Sequence, residues 1–155
     1  MSISGITIRP ATVADLPALI AIYAADAVGG HGDTTDAAAF DDYVEAFAVI
    51  AASPHEELYV AEQSGEVVGT FQTLVTTTLT GRGSSAMIIE AVQTRPDKRG
   101  QGIGADMIRF CIAEAERAGV KSVRLTSNAA RTDAHRFYHK LGFEQSHLGF
   151  KMKLK

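Results

Sequence analysis

A short glycine-rich segment offers the clearest chemistry in this sequence. From Arg95 to Gly104 the chain reads Arg-Pro-Asp-Lys-Arg-Gly-Gln-Gly-Ile-Gly, and a helical pattern of apolar residues follows at once. Glycines let the backbone curve closely around a ligand. The first N–H groups of a helix have no partner within the helix and attract anions. The segment therefore predicts an anion site suited to a pyrophosphate, with Arg95, Lys98 and Arg99 supplying positive charge.

The spacing of these glycines separates the segment from two other phosphate-binding loops. A P-loop requires Lys-Ser or Lys-Thr after its last glycine, and no such pair follows here. A dinucleotide-binding fingerprint requires Gly-x-Gly-x-x-Gly after the first strand of a βαβ unit. Here Gly100, Gly102 and Gly104 have the spacing Gly-x-Gly-x-Gly and follow several predicted strands. The remaining pattern is Arg-x-x-Gly-x-Gly, which begins at Arg99.

A second segment completes a resemblance to a known family. Arg136-Phe-Tyr-His-Lys-Leu-Gly-Phe143 is similar to the Phe-Tyr-x-x-x-Gly-Phe helix end of the GNAT superfamily of N-acyltransferases. Arg99-Gly-Gln-Gly-Ile-Gly104 is similar to the pyrophosphate loop of the same superfamily. The order of the predicted elements also matches, so the resemblance covers nearly the whole chain. It implies that acetyl-CoA is the co-substrate and that a primary amine of a small molecule attacks it directly.

Two side chains become candidate catalytic groups by this resemblance. Tyr138 stands where the family keeps a tyrosine that acts as general acid beside the sulfur. Glu90 stands in a strand region where several members carry an acid that serves as base through water. A base is needed because an alkyl amine has a pKa near that of lysine, about 10.4. From the residues alone, Tyr138 is also readable as a core aromatic residue and Glu90 as an exposed or ion-paired one.

The resemblance also assigns a cofactor site. Val92, Gln93 and Thr94 are expected to offer backbone groups to the pantetheine arm, with the N–H of Val92 as the donor to the oxyanion. Asn128 is expected to bond the amide arm. Arg131 replaces a further family asparagine, so it is either a contact to a CoA phosphate or a solvated charge. The glycine loop and first helical turn contribute Arg99, Gly100, Gln101, Gly102, Ile103, Gly104 and Ala105.

The acceptor site is indicated by a loop and by the C-terminal part. His31 lies in Gly29-Gly-His-Gly-Asp33, a loop that borders the acceptor site in the superfamily. The tail from Thr132 to His147 resembles aminoalkylphosphonate N-acetyltransferases, although those proteins carry an acid where Ala91 stands. This resemblance suggests an anionic small amine, such as an aminophosphonate or an amino acid. The candidate contacts for its anionic end are Arg82, Ser146 and His147.

Other acceptors and one other function class stay open. Polyamines and aminoglycosides are alternative small amines, and protein N-termini or lysines are alternative macromolecular acceptors. A CoA-binding regulatory module without turnover is the alternative to an enzyme. The sequence features that separate these classes are Tyr138 and Glu90, because a non-catalytic module would have no use for either.

Neither histidine nor cysteine spacing predicts a metal site. His135 and His139 are four residues apart, but no third ligand lies near them, so a solvated helix face is expected. Cys111 is the single cysteine, which excludes an internal disulfide framework and any zinc site with two sulfurs. We expect Cys111 to be a small core residue on the helix after the glycines.

The elements that must position these residues follow from the apolar periodicity, which predicts the order β-α-α-β-β-β-α-β-α-β(-β). The resemblance implies an α/β (α+β) GNAT-like fold with a mixed, mostly antiparallel sheet of six to seven strands and about four helices. The predicted strands are Ile3–Arg9, Leu58–Gln63, Val67–Thr78, Ala86–Thr94 and Lys121–Ser127, with one or two more across Phe143–Leu154. The first predicted helix begins near Thr12 or Asp15. The other predicted helices span Asp36–Ala52, Gly102–Ala118 and Arg131–Leu141.

Length and composition bound the remaining possibilities. The 155 residues suit one domain, 1–155, and the net charge of −3 argues against a general nucleic-acid binder. No segment has the features of a membrane span or a signal peptide, and with the single cysteine this predicts a cytoplasmic protein. Gly149–Lys155 alternates apolar residues with lysines and could be an exchanged or edge strand, which favours a homodimer weakly.

Overall fold

The computed structural model describes residues 5–26, 28 and 31–155, which form two compact units, Met1–Leu125 and Thr126–Lys155. Two predicted features lie partly outside the described residues: the start of the first strand at Ile3, and Gly29 and Gly30 of the predicted acceptor loop. The prediction of a single domain stays a prediction.

A five-stranded mixed sheet forms the centre of the first unit. Its strands lie in chain order, with the first four antiparallel and the last parallel to its neighbour. Ser64 and Gly65, at φ 52° and 80°, join the second and third strands by the tight hairpin that the sequence predicts. The strands are β1 (Thr7–Pro10), β2 (Glu56–Gln63), β3 (Glu66–Thr77), β4 (Ser85–Thr94) and β5 (Ser122–Leu125).

Helices occupy both faces of this sheet. On one face, Leu58 and Val60 of β2 join a buried cluster with residues of the first helix, and side chains of the second helix pack against it. On the other face, the Tyr59 ring lies 5.1 Å from the Phe110 ring of the fourth helix. The alternation of apolar residues along β2 explains why both faces are covered. The helices are α1 (Leu16–Ala24), α2 (Phe40–Ala52), the single turn α3 (Thr80–Gly83), α4 (Ile103–Ala118) and, in the second unit, α5 (Thr132–Lys140).

The α4 helix forms as the periodicity predicts. Its inward stripe of Ile103, Met107, Cys111 and Ala115 is at most 2% exposed, which confirms Cys111 as a core residue. Gly119, in the left-handed conformation, ends the helix. The α4 helix connects β4 to the parallel strand β5, a crossover that parallel pairing requires.

The start of α1 is held by a charged network. The Arg9 guanidinium on β1 donates to both carboxylate oxygens of Asp15, each at 2.8 Å, and to Glu62 of β2 at 3.1 Å. The backbone N–H of Thr12 donates to the same Asp15 carboxylate at 2.7 Å. Asp15 is buried, and Arg9 lowers the pKa of its carboxyl by hydrogen bonding to the ionised form. The network therefore fixes where the chain leaves the sheet and begins α1.

The second unit departs from the prediction. Residues 143–155 form no strand, so the expected strands across Phe143–Leu154 are not present and the predicted count of six to seven strands is too high. The apolar side chains of this segment lie in solvent, with Phe150 96% exposed and Leu154 85% exposed. A strand needs a neighbour for its N–H and C=O groups, and alternation alone does not supply one. The predicted mixed α/β class is confirmed.

No helix in the described part of the chain is both long and apolar enough to cross a membrane.

We predict that Asp15→Asn destabilises the first unit by about 2 kcal/mol at pH 7, because a buried hydrogen bond to a charged group is lost. The pKa of Asp15 is lower when folded, so its contribution is present above pH 4 and declines as the pH falls below the usual aspartate range. Urea unfolding of the wild type and the variant at pH 7 and at pH 3 should therefore show a gap that narrows at pH 3.

Asp97→Asn is the matched control. Its carboxyl also has a pKa lowered by an arginine, Arg95, but it lies at the surface. We expect its unfolding free energy to stay unchanged, since exposed ion pairs contribute little. Equal losses in the two variants would contradict a special role for the α1 network.

Candidate active site

The glycine loop precedes α4 in the conformation that an anion site needs. Gly100 and Gly102 have φ of 77° and 85°, a region that other L-residues enter only at a cost. A Cβ added to either glycine would meet no atom within 4 Å, so open space lies beside both. Ile103 is buried and anchors the first turn. The backbone, rather than packing, therefore explains the glycines, and the N–H groups of the first turn of α4 are available to an anion.

Of the basic side chains around this loop, one is already ion-paired and two have no ion-pair partner among the described residues. Arg95 donates to Asp97 at 2.6 Å and to Glu66 at 3.3 Å, so its guanidinium is already engaged. Lys98 and Arg99 form no ion pair with any described residue. Of the three predicted cations, Lys98 and Arg99 are thus the two that could meet phosphates.

A β-bulge interrupts β4 just before this loop. Gln72 of β3 pairs with Glu90, and Thr70 pairs with Gln93, so two residues of β4 lie opposite Phe71. One of them, Ala91, has φ 51°. Residues paired across strands share a face, so the bulge puts Gln93 rather than Val92 on the face of Glu90. Simple alternation along β4 would instead have placed Glu90 and Val92 on one face.

On its other edge, β4 stops pairing with β5 just before the bulge. The parallel pairs of β4 with β5 run from Ala86↔Ser122 to Ile89↔Leu125 and stop there. Within the described part of the first unit, no strand pairs with residues 90–94 on that side. Unpaired backbone groups on a strand edge can hydrogen-bond an extended ligand. The predicted cofactor contacts Val92, Gln93 and Thr94 lie in this stretch.

A cavity of about 300 Å³ opens beside the bulge, between α1, α2 and the sheet. Its volume suits a small molecule. Its apolar wall consists of Leu16, Leu19, Ile20, Ala46, Phe47, Ile50, Leu58 and Ala91. Its polar lining consists of Tyr23, Asp26, His31, Asp33, Tyr43, Gln72 and Gln93.

Several polar groups of the cavity hold one another in place. The Gln93 amide donates to Asp26 at 2.9 Å and so connects β4 to the end of α1. The Tyr43 hydroxyl donates to Asp33 at 2.8 Å and accepts from the Thr34 N–H at 3.2 Å. Burial and the hydrogen bond to Asp33 raise the pKa of Tyr43, so this phenol stays a donor at neutral pH. Burial also raises the pKa of Tyr23.

The predicted acceptor-site residues of the first unit are placed differently from one another. His31 lines the cavity, and its role in binding the acceptor stays a prediction. Arg82 does not line it and lies exposed in α3 with φ 64°. Glu90 is exposed and neighbours the cavity only through its cross-strand partner Gln72. The structure therefore brings His31, Gln93 and the bulge together and leaves Arg82 apart.

The second unit contains the predicted tyrosine and asparagine. The Tyr138 ring lies 5.2 Å from the Phe137 ring and 5.9 Å from that of Phe143. The Asn128 side-chain oxygen accepts the Ala130 N–H at 2.9 Å, so that oxygen is used within a turn. The His135 ring bonds the Asn128 carbonyl at 2.9 Å. Asn128 thus retains its amide NH₂ for a ligand.

Of the remaining predicted residues of the second unit, Ser146 and His147 are exposed and Arg131 is half-buried. The hydroxyl of Ser146 and Nδ1 of His147 lie 2.7 Å apart. His139 is also exposed. Arg131 precedes α5, where its carbonyl accepts the His135 N–H at 3.1 Å. The contacts described for Ser146 and His147 include no further group that could help them bind an anion. Their role in binding an anion stays a prediction.

The environment of Cys111 does not favour a role as a nucleophile. Burial raises the pKa of the Cys111 thiol to about 12, so it is not a thiolate at neutral pH. Among the described residues, no group of three or more His, Cys, Asp or Glu side chains is arranged to hold a metal ion.

Comparison with known proteins decides the family. The model of the Acetyltransferase (GNAT) family matches residues 16–143, most of the chain. The chain belongs to the GNAT family. GNAT proteins use acetyl-CoA, and the N-acetyltransferases among its relatives make this GNAT protein an acyltransferase.

Three relatives show how far the likeness extends. The aminoalkylphosphonate N-acetyltransferase of Salmonella typhimurium is 35% identical over 111 residues, 72% of this chain and 71% of that protein. A crystal structure described as a transcriptional regulator from Bacillus halodurans C-125 is 38% identical, with a TM-score of 0.92 over 96% of this chain and 99% of that one. Glucosamine-6-phosphate N-acetyltransferase from Arabidopsis thaliana shares the fold at 18% identity, with a TM-score of 0.79 over 97% and 99%.

Sequence reasoning missed most of the cavity's polar residues. Tyr23, Asp26 and Tyr43 read as ordinary residues of helices or helix ends. Asp33 lies in the same glycine loop two residues after His31, and nothing in its sequence context predicts a role for it. Gln72 sits mid-strand with no distinguishing pattern. Their common site arises because α1, α2 and β3 meet at the bulge, which no local pattern reveals.

We predict that Ala91→Gly raises the free energy of unfolding of this GNAT protein by about 0.5 kcal/mol. The reason is that glycine adopts a positive φ without the Cβ penalty, which outweighs its larger loss of chain entropy. Ala86→Gly in the same strand is the control, because Ala86 is buried in ordinary extended backbone. That variant should lose about 1 kcal/mol. Urea unfolding measures both, and losses of the same sign would argue against a strained bulge.

Proposed function

We propose that this GNAT protein transfers the acetyl group of acetyl-CoA to a primary amine of a small molecule bound in the cavity. One observation carries the proposal: the cavity opens on the bulge of β4 where the parallel pairing ends, and the glycine loop follows that strand. The thioester would lie along residues 90–94, with the pyrophosphate at the start of α4. The amine would reach it from the cavity.

The proposed reaction is a direct attack within a ternary complex. The neutral amine nitrogen attacks the thioester carbonyl carbon, the C–N bond forms, and the C–S bond breaks to release CoA. The N–H of Val92 stabilises the oxyanion. The amine proton leaves to water that leads to Glu90, which is solvated as such a relay requires. Tyr138 donates a proton to the departing thiolate, so the products are the N-acetyl amine and CoA thiol.

The cofactor part of this proposal uses Arg99, Gly100, Gln101, Gly102, Ile103, Gly104 and Ala105 around the pyrophosphate. Lys98 and Arg99 add positive charge and form no ion pair with any described residue. Asn128 contributes its amide NH₂ to the pantetheine arm. The name of the Salmonella relative supports an aminoalkylphosphonate as the acceptor. An amino acid is the other anionic acceptor that the sequence suggests, with Ser146 and His147 as candidate contacts for its anionic end, whereas Arg82 does not line the cavity.

Cytoplasmic location and a homodimer stay part of the proposal. The C-terminal segment supports dimerisation, since Phe150, Met152 and Leu154 are all more than four-fifths exposed. Such alternating apolar side chains are covered when a strand edge pairs with another chain.

We predict that Gly102→Ala weakens acetyl-CoA binding at least about tenfold. A methyl group there would stand in the space proposed for the phosphates, and a non-glycine residue resists φ 85°. Gly119→Ala is a closely matched control: it lies at the other end of α4, with φ 73° and open space around its Cβ. Calorimetric titration gives the two dissociation constants, and urea unfolding should show similar stability losses of about 1 kcal/mol. Equal affinities in the two variants would remove the loop from the cofactor site.

We predict that Tyr138→Phe lowers kcat about a hundredfold while the affinity for acetyl-CoA stays the same. Loss of a general acid typically costs this much, and phenylalanine keeps the contacts to Phe137 and Phe143. A thiol-release assay measures kcat across aminoalkylphosphonates, amino acids, polyamines and aminoglycosides. Tyr59→Phe, which also removes one hydroxyl but lies between Phe71 and Phe110, should keep full activity.

Two outcomes would count against this assignment. Unchanged turnover in Tyr138→Phe would exclude the tyrosine as the acid. Tight acetyl-CoA binding with no thiol release from any amine would favour a protein acceptor or a non-catalytic regulator, the latter in keeping with the description of the Bacillus halodurans relative.

A further inference from the structure

The charged side chains that line the acceptor cavity are two aspartates, and His31 is the one basic side chain among the described lining residues. Asp26 and Asp33 contribute carboxylates, and no lysine or arginine of the described residues lines the cavity. The residues of the first unit outside the described part carry no basic side chain either. The two aspartates would therefore repel a phosphonate or carboxylate on the acceptor, and no lysine or arginine among the described lining residues would pair with it.

Asp33 is the carboxylate best placed to bind a cation. Its side chain is half-buried and accepts one hydrogen bond from the neutral hydroxyl of Tyr43 at 2.8 Å. A carboxylate has about four acceptor positions, so capacity for an ammonium remains. Partial burial strengthens such a pair compared with one in bulk water. The Tyr43 hydroxyl orients the carboxylate without neutralising its charge.

The rest of the lining suits a hydrocarbon chain. Leu19, Phe47 and Ile50 belong to the apolar wall between the two helices. Ala91 and Gln93 also line the cavity and bring it to the bulged strand. The cavity thus combines an apolar wall, an acidic group on the loop before α2, and contact with the proposed acetyl-transfer strand.

We propose that the acceptor is an alkyl amine whose far end carries a second positive charge, such as a diamine or an aminoalkyl guanidine. This inference rests on the acetyl transfer proposed above and replaces the anionic acceptor that the Salmonella relative suggests. Asp33 binds the far cation, the apolar wall contacts the methylene chain, and the near amine loses its proton and attacks the thioester. Only the near nitrogen is acetylated, because the far one stays protonated against the carboxylate.

A series of three probes with the same three-carbon chain tests this. They are 1,3-diaminopropane, 3-amino-1-propanol and 3-aminopropylphosphonate, which end in a cation, a neutral group and an anion. We expect kcat/KM to fall about tenfold at each step in that order. In Asp33→Asn, which keeps an acceptor for Tyr43, the diamine should lose about tenfold through KM. The amino alcohol should change little, and the phosphonate should improve.

Asp36→Asn is the matched control. Asp36 is exposed, caps the turn before α2 by accepting the Ala38 N–H at 3.0 Å, and does not line this cavity. Asparagine caps equally well. This variant changes the net charge by the same amount nearby, so it should leave the order and size of the preferences intact. A similar loss of diamine activity in both variants would overturn the role of Asp33.

The result also separates this inference from the acetyl transfer itself. A wild-type preference for the phosphonate would overturn the inference while supporting acetyl transfer. If no probe releases thiol, calorimetric titration of the three probes into the CoA-bound protein decides. If the diamine binds and Asp33→Asn weakens that binding, the result upholds the cation-binding site at Asp33 and counts against the proposed acetyl transfer. Absence of diamine binding up to millimolar concentrations would overturn the cation-binding site.

Discussion

The bulge in β4 is the constraint on which the rest of the site depends. Two residues of this strand oppose one residue of β3, and Ala91 takes a positive φ to allow it. The extra residue moves Gln93 to the cavity face, where its amide reaches Asp26. The parallel pairing with β5 ends immediately before the bulge, at Ile89. One irregularity thus adjoins both the cavity and an unpaired strand edge, and strain stored there is of the kind found at functional sites.

The charges of the first unit divide along the same strand. Beyond β4, the loop before α4 has Lys98, Arg99 and the N–H groups of a helix start, all suited to phosphates. Beside the bulge, the lining of the cavity includes His31 and the carboxylates of Asp26 and Asp33. A cofactor that is strongly negative and an acceptor that is positive would be attracted to different ends of the site. In the proposed reaction, this separation would orient both reactants and disfavour the binding of either one at the other's place.

The described structure also shows which groups serve stability alone. The pair of Arg9 and Asp15 holds the start of α1 to the sheet, and α1 forms one wall of the cavity. Arg95 looks like a phosphate ligand in the sequence, yet its guanidinium is bound to Asp97 and Glu66. Arg95 is therefore engaged in ion pairs while Arg99, four residues later, has no ion-pair partner among the described residues, and only the positions of the acids distinguish the two.

Local patterns determined much of this protein from its sequence: the glycine spacing before α4, the buried stripe of that helix, the hairpin at Ser64 and Gly65, and the membership of the GNAT family. Each depends on residues close together in the chain, where backbone preference and periodicity act directly. The sequence pattern failed for Phe143–Leu154, because alternation shows what could pair but not whether a partner strand is present. Only the tertiary structure decided the bulge register and the acidic cavity, since Tyr43, Gln72 and Gln93 become neighbours when α2, β3 and β4 pack together.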